Sequence, residues 1–179
     1  MFAPNSSASP HTAESICCRQ CGGTLQEVSG REYLQCEYCL SLHFPFDDPL
    51  KVDQLVVSGE PVTSECPICS ESLTGGNLDD VRVLHCKVCY GILLRNTDFG
   101  KVVSNRRSDR GAGVGEIPLP LDPRQYQRQL NCPSCHGPME AHPYYGPGNS
   151  VIDSCCRCQL VWLDHGELRR IVRAAGGQQ

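Results

Sequence analysis

The chain has 179 residues, enough for one ordinary domain or several very small ones, and a formal net charge of −4 from 16 basic and 20 acidic side chains. Fourteen cysteines stand against 6% aromatic residues and a single tryptophan, Trp162, which excludes one large aromatic-rich core and points to small modules held by something other than burial. The acidic balance argues against the basic face that a phosphate-neutralising domain normally carries.

Residues 1–15 contain no Lys or Arg and no apolar run of seven, so they read as a disordered tail rather than a secretory signal. No later segment approaches eighteen consecutive apolar residues. The expectation is a cytoplasmic protein without membrane association, in which paired thiols favour metal over disulfides.

Twelve cysteines form six C-x2-C pairs that couple into three units. The first, over 16–46, joins Cys18/Cys21 to Cys36/Cys39 across 14 residues. Residues 47–64 follow as an acidic connector with Asp47, Asp48, Asp53 and Glu60 against Lys51. The second unit, over 65–95, joins Cys66/Cys69 to Cys86/Cys89 across 16 residues. Residues 96–130 hold Arg106, Arg107 and Arg110, then Gly111, Gly113 and Gly115, then Pro118, Pro120 and Pro123, the composition of a flexible linker. The third unit, over 131–177, joins Cys132/Cys135 to Cys155/Cys158 across 19 residues.

The units share more than cysteines. Leu25, Leu73 and Met139 fall four residues after the first pair, and Tyr33, Val83 and Ile152 three before the second. After the second pair come Leu42 and Phe44, Ile92 and Leu94, Val161 and Leu163. This register argues for one fold repeated three times. Alternating stretches such as Val81-Arg82-Val83-Leu84-His85 suit short antiparallel strands. Each C-x2-C pair fits a tight turn that aims two sulfurs at one ion, and two turns complete a tetrahedral site. The expected fold is therefore small, metal-bound and mainly β: three tandem zinc ribbons with rubredoxin-like knuckles, binding three Zn²⁺. Cys66-Pro-Ile-Cys69 and Cys132-Pro-Ser-Cys135 leave iron open. Six paired motifs do not suit a thioredoxin site, which needs one. Cys17 and Cys156 fit the pair spacing less well than their neighbours and read as spare thiols, and His85 and His136 as groups beside sites already filled by four thiolates.

The third unit carries two additions. His142-Pro-Tyr-Tyr-Gly-Pro-Gly148 forms a long turn with Tyr144 and Tyr145 at its tip, suited to packing back on the ribbon or to touching a partner. After Trp162-Leu163, Asp164 is placed to cap a helix of roughly twelve residues, with Glu167 returning the bond. Leu168, Ile171, Val172 and Ala175 make its apolar stripe, expected to lie beside Trp162, and Arg169, Arg170 and Arg173 its exposed face.

Over about 132–173, Cys132-Pro-Ser-Cys135, Met139-Glu140, Val151-Ile152-Asp153-Ser-Cys155 and Cys158-Gln-Leu-Val-Trp162-Leu163-Asp164-His-Gly166-Glu167-Leu168 resemble the small prokaryotic zinc-ribbon family named for its likeness to the ribbon of general transcription factor IIB. The resemblance implies zinc on Cys132, Cys135, Cys155 and Cys158, a terminal helix belonging to the module, and a transcription-related or regulatory role. The first two units lack the Trp-Leu-Asp ending and resemble zinc ribbons only generically.

Four sulfurs per ion make closed structural sites, so the chain reads as non-catalytic, without a small-molecule substrate. Twelve thiolates around three Zn²⁺ take the folded protein to about −10, which favours a protein partner over nucleic acid. The candidate contacts are Tyr144, Tyr145, Trp162, Arg169, Arg170 and Arg173. The alternatives are nucleic-acid binding through the third ribbon and the arginine clusters, and iron or labile-zinc redox chemistry involving Cys17 and Cys156.

Overall fold

The computed structural model describes residues 17–18, 20–28, 33–43, 49–110 and 115–176. The expected disordered tail and Phe44 lie outside the described residues. The first ribbon is a three-stranded antiparallel sheet of β1 (Leu25–Glu27), β2 (Leu34–Cys36) and β3 (Leu42–His43), with Leu25 opposite Cys36 and Leu34 opposite His43. Its small core is Val28, Tyr33 and Leu42.

The second ribbon contributes β4 (Val56–Glu65), β5 (Ser72–Leu78), β6 (Val81–His85) and β7 (Ile92–Arg95), and the third β8 (Glu140–Pro143), β9 (Val151–Cys155) and β10 (Leu160–Leu163). These seven strands form one antiparallel sheet in the order β4-β5-β6-β7-β10-β9-β8. The join is β7 against β10, with Leu94 opposite Val161 and Leu93 opposite Trp162. Two of the three ribbons are thus halves of a single sheet, although 42 residues separate their cysteine pairs.

Strand periodicity decides what each face carries. Ile92 and Leu94 of β7, with Val161 and Leu163 of β10, point to one face, where they pack with Val83 and Ile152. Leu93 and Trp162 point to the other, among the cysteines of the second and third ribbons. Each fully buried aliphatic side chain stabilises the fold by about 1.5–3 kcal/mol.

The first face is covered by two helices. Residues 96–130, which read as linker, begin with the fifteen-residue helix α1 (Asn96–Arg110). Its apolar residues are few but sit at helical spacing: Phe99, Val102 and Val103 enter the core. Helix α2 (Glu167–Arg173) places Leu168 and Ile171 in the same cluster. The α2 stripe therefore lies on the face opposite Trp162 rather than beside it, because Val161 and Leu163, not Trp162, point that way.

Helix α2 has seven residues, fewer than the roughly twelve expected, and both its ends are held from elsewhere in the chain. The residue before it is Gly166 at φ +77°, with no side-chain cap of its own. Asp164 does not cap it: its carboxylate accepts from Trp162 Nε1 at 3.2 Å and pairs with Arg128 at 3.0 Å. The expected return bond from Glu167 is present, Asp164 N–H donating to its carboxylate at 2.9 Å. Asp53, from the acidic connector, accepts the first-turn N–H groups instead. At the other end Arg107 donates to the carbonyls of Ile171 at 2.7 Å, Ala174 at 3.2 Å and Gly176, and Arg110 to Val172 at 2.6 Å. Free helix-end carbonyls and a negative dipole end draw these guanidinium groups.

Candidate metal centres

Each ribbon is built from two knuckles with the same backbone. The residue after the second cysteine of every pair adopts a positive φ: Gly22, Leu40, Ser70, Tyr90, His136 and Gln159 lie between 55° and 74°. In the first five knuckles its N–H donates to the carbonyl of the first cysteine, as from Leu40 to Cys36 at 3.1 Å, Ser70 to Cys66 at 3.0 Å and His136 to Cys132 at 2.9 Å. Five of the six positions are not glycine, so the turn holds a conformation that costs an L-residue about 1–2 kcal/mol. The turn also aims backbone N–H groups at sulfur, from Gln20 to Cys18 and Ile68 to Cys66 at 3.4 Å, and from Val88 to Cys86 at 3.3 Å. Such donors stabilise thiolates.

The knuckles close three groups of four: Cys18, Cys21, Cys36 and Cys39; Cys66, Cys69, Cys86 and Cys89; Cys132, Cys135, Cys155 and Cys158. In each, the sulfurs lie within 4.8 Å of one another. Close pairs run from 3.3 Å for Cys69–Cys86 to 3.7 Å for Cys135–Cys155. Four sulfurs about 2.3 Å from a common centre stand about 3.8 Å apart in a tetrahedron. The donor sets therefore fit one four-coordinate metal ion each, with no ligand position left open.

The thiols influence one another as crowded acids do. Against desolvation, hydrogen bonds from Ser41, from backbone and from His43 draw Cys18 down to about 5. Against a backbone bond at Gly23, the neighbouring Cys39 and Cys36 thiols push Cys21 up to about 12. A backbone bond at Gly137 leads in drawing Cys135 down to about 7, while burial pushes Cys132 up to about 12. Four such groups ionise together only around a cation, which supplies the missing positive charge.

The three centres differ in their surroundings. In the first, Cys21 and Cys39 are exposed. Ser41 Oγ lies 3.0 Å from both Cys18 and Cys39, and His43 Nε2 3.3 Å from Cys18. In the second, Cys66, Cys86 and Cys89 are buried, and in the third Cys132 and Cys155. These two flank one apolar cluster containing Leu73, Leu93, Met139 and Trp162. His85 is buried next to Cys86 and His136 is exposed. Cys17 and Cys156 belong to none of the groups, and both are exposed.

Beside the third centre, Asp153 and Asp164 share Arg128, at 2.9 and 3.0 Å. Burial works against the Arg128 charge, but the two carboxylates more than restore it and hold the guanidinium above its ordinary value. This triad ties the end of the 96–130 segment to β9 and to the turn before α2. Arg128 lay in a stretch read as linker, and no local pattern marks it.

The candidate contacts separate sharply. Trp162 is fully buried and has no surface to offer, because both faces of β10 are covered. Tyr144 packs back, its ring edge-on to Phe99 at 5.4 Å. Tyr145 is 89% exposed and stacks on His142 at 5.6 Å. They rim a groove of about 400 Å³ whose lining includes Asn96, Gly100, Ser154 and Cys156. Arg169 and Arg170 are half-buried rather than exposed, and Arg173 is exposed but paired with Glu116 at 3.1 Å. The cluster weighed for nucleic acid is engaged internally: Arg107 and Arg110 hold α2, and Arg106 grips Asp79 through two nitrogens at 2.8 and 3.0 Å.

Residues 131–174 match the family model described as transcription factor zinc-finger. The match takes in the third cysteine group, the shared arginine triad's two aspartates and α2, and leaves the first two ribbons outside. No curated protein and no solved structure matches the chain. Among the described residues no helix is long and apolar enough to cross a membrane.

Proposed function

We propose that the protein is a zinc-dependent, non-catalytic interaction module of a transcription-related, regulatory kind, working in a reducing compartment such as the cytoplasm. Zinc is the ion favoured by closed four-thiolate sites of structural type. Closed sites give metal chemistry no open position, so binding is the function left to the surface. The observation that carries the reading is Tyr145, a large aromatic held outward by its stack on His142 at the rim of a groove, on a scaffold braced by two metal centres. Rigid exposed aromatics lose little entropy on contact and are enriched where proteins bind. The match of residues 131–174 to a transcription factor zinc-finger supports the regulatory part.

The test is affinity capture with the zinc-loaded full chain and with Tyr145→Ser, each checked for metal content. Loss of one defined protein partner in the variant supports the proposal. Retention of every partner refutes this surface. A gel-shift titration at low salt separates the competing reading: tight, steeply salt-dependent binding of DNA or RNA would favour nucleic acid instead. A purified protein that is coloured and carries iron would favour the redox reading.

A further inference from the structure

A second surface follows α1 and precedes the third cysteine group in the chain, in Glu116-Ile117-Pro118-Leu119-Pro120-Leu121-Asp122-Pro123. Three prolines fix their own φ near −65°, and each pushes the residue before it into extended conformations. Of the residues from Ile117 to Pro123, Leu121 alone is neither a proline nor followed by one. Asp122 accordingly sits at φ −88°, ψ 111°. Among the described residues no backbone hydrogen bond engages Ile117 to Leu121, as expected of a polyproline II strand, whose backbone stays free for solvent or a partner.

Both ends of this strap are tied. Glu116 exchanges backbone bonds with the chain after α2, donating to Arg173 O and accepting from Ala175 N, both at 2.8 Å. Asp122 accepts from Arg124 N at 3.0 Å and starts a short 3-10 turn over Pro123–Gln127, just before Arg128 enters its buried triad. Between the anchors the apolar side chains face water: Ile117 is 89% exposed, Leu119 41% and Leu121 37%. Three aliphatic residues, Ile117 almost wholly and Leu119 and Leu121 partly in water, stand on a proline-stiffened strand without backbone bonds of its own. They form a ligand already in its bound shape, which avoids much of the ordering entropy of binding.

We propose that this strap is a docking ligand for a protein module that reads polyproline II strands through an aromatic-lined groove. The chemistry selects that class: the alternating proline and aliphatic side chains from Ile117 to Leu121 fit between flat aromatic rings, and the free carbonyls accept from Trp or Tyr at the groove floor. It is independent of the Tyr145 surface.

The test titrates the zinc-loaded full-length protein against a panel of purified SH3, WW and EVH1 domains by calorimetry. The expected result is saturable one-to-one binding by at least one class, weakened about tenfold or more by the double variant Leu119→Ser, Leu121→Ser and unchanged by Tyr145→Ser. Because these leucines are exposed, the double variant keeps its three metal ions and its melting temperature, so loss of binding is not loss of fold. Absence of binding across the panel, or binding that survives the double variant, overturns the proposal. So does sedimentation showing that the strap is covered by a second copy of this chain, in a dimer that the same two substitutions dissolve.

Discussion

The indole of Trp162, in the third ribbon, lies against the backbone of Gly91, in the second knuckle of the second ribbon. A Cβ built on Gly91 would stand 2.7 Å from Trp162 Cε2, inside any real contact distance. One ring thus closes the space between two metal centres, and the absence of a side chain at Gly91 allows it. The ribbons are coupled at this point as well as through the pairing of β7 with β10.

Replacing Gly91 with alanine forces the fully buried ring out of place. Gly91→Ala is expected to cost about 3 kcal/mol, lowering the melting temperature and speeding metal loss from the second and third centres together. Gly100→Ala is the control. Gly100 lies within α1 with nothing within 4 Å of a Cβ, so that substitution should stabilise by roughly 0.5–1 kcal/mol. Equal effects of the two would refute the coupling.

Asp53 stands 113 positions before Gly166 in the chain, yet it accepts from the N–H of Gly166 at 2.8 Å and of Arg169 at 2.9 Å. Asp53→Ala should destabilise the protein by about 1–2 kcal/mol, read by thermal unfolding, while metal analysis still finds three ions. A variant as stable as the parent would show that the connector does not hold α2.

Removing Arg128 would leave Asp153 and Asp164 buried without their shared cation. Arg128→Ala is expected to cost about 3–5 kcal/mol. Arg124→Ala removes the pair between Arg124 and Asp122, in which the arginine side chain is 49% exposed, and should cost less than about 1 kcal/mol. Chemical denaturation of both variants at constant zinc measures the difference.

Chelation should proceed in two stages, because access differs among the centres. Cys21 and Cys39 are exposed, whereas the second and third centres flank the cluster around Trp162. Native mass spectrometry during chelator challenge is expected to show one ion leaving first, from the first ribbon. Trp162 is the only tryptophan, so its fluorescence should hold steady through that stage and change as the remaining two ions leave. Simultaneous loss of all three ions would contradict the arrangement.

The three cysteine groups and the mainly β ribbons were legible because metal-ligand spacing is a local property of the chain, repeated with its apolar register. The shared sheet was less so, since pairing of β7 with β10 links residues far apart. Its trace is nonetheless present: Ile92-Leu93-Leu94 and Leu160-Val161-Trp162-Leu163 are apolar at consecutive positions, the pattern of strands covered on both faces, and a lone ribbon cannot cover both. Helix α1 was hidden because only Phe99, Val102 and Val103 form its apolar stripe, and its arginines find their partners in α2 and at Asp79. Asp164 has the spacing of a cap for α2, but its carboxylate is claimed by Trp162 and Arg128. The exposure of Tyr145 and the partial burial of Tyr144, adjacent at one loop tip, are set by tertiary packing alone.

X-ray absorption at the metal edge, combined with metal quantitation of the purified chain, addresses the three cysteine-held centres directly. The account predicts three zinc ions per chain, each with four sulfur neighbours at about 2.3 Å. Fewer than three ions, oxygen or nitrogen in the first coordination sphere, or cysteines joined as disulfides in the folded protein would contradict it.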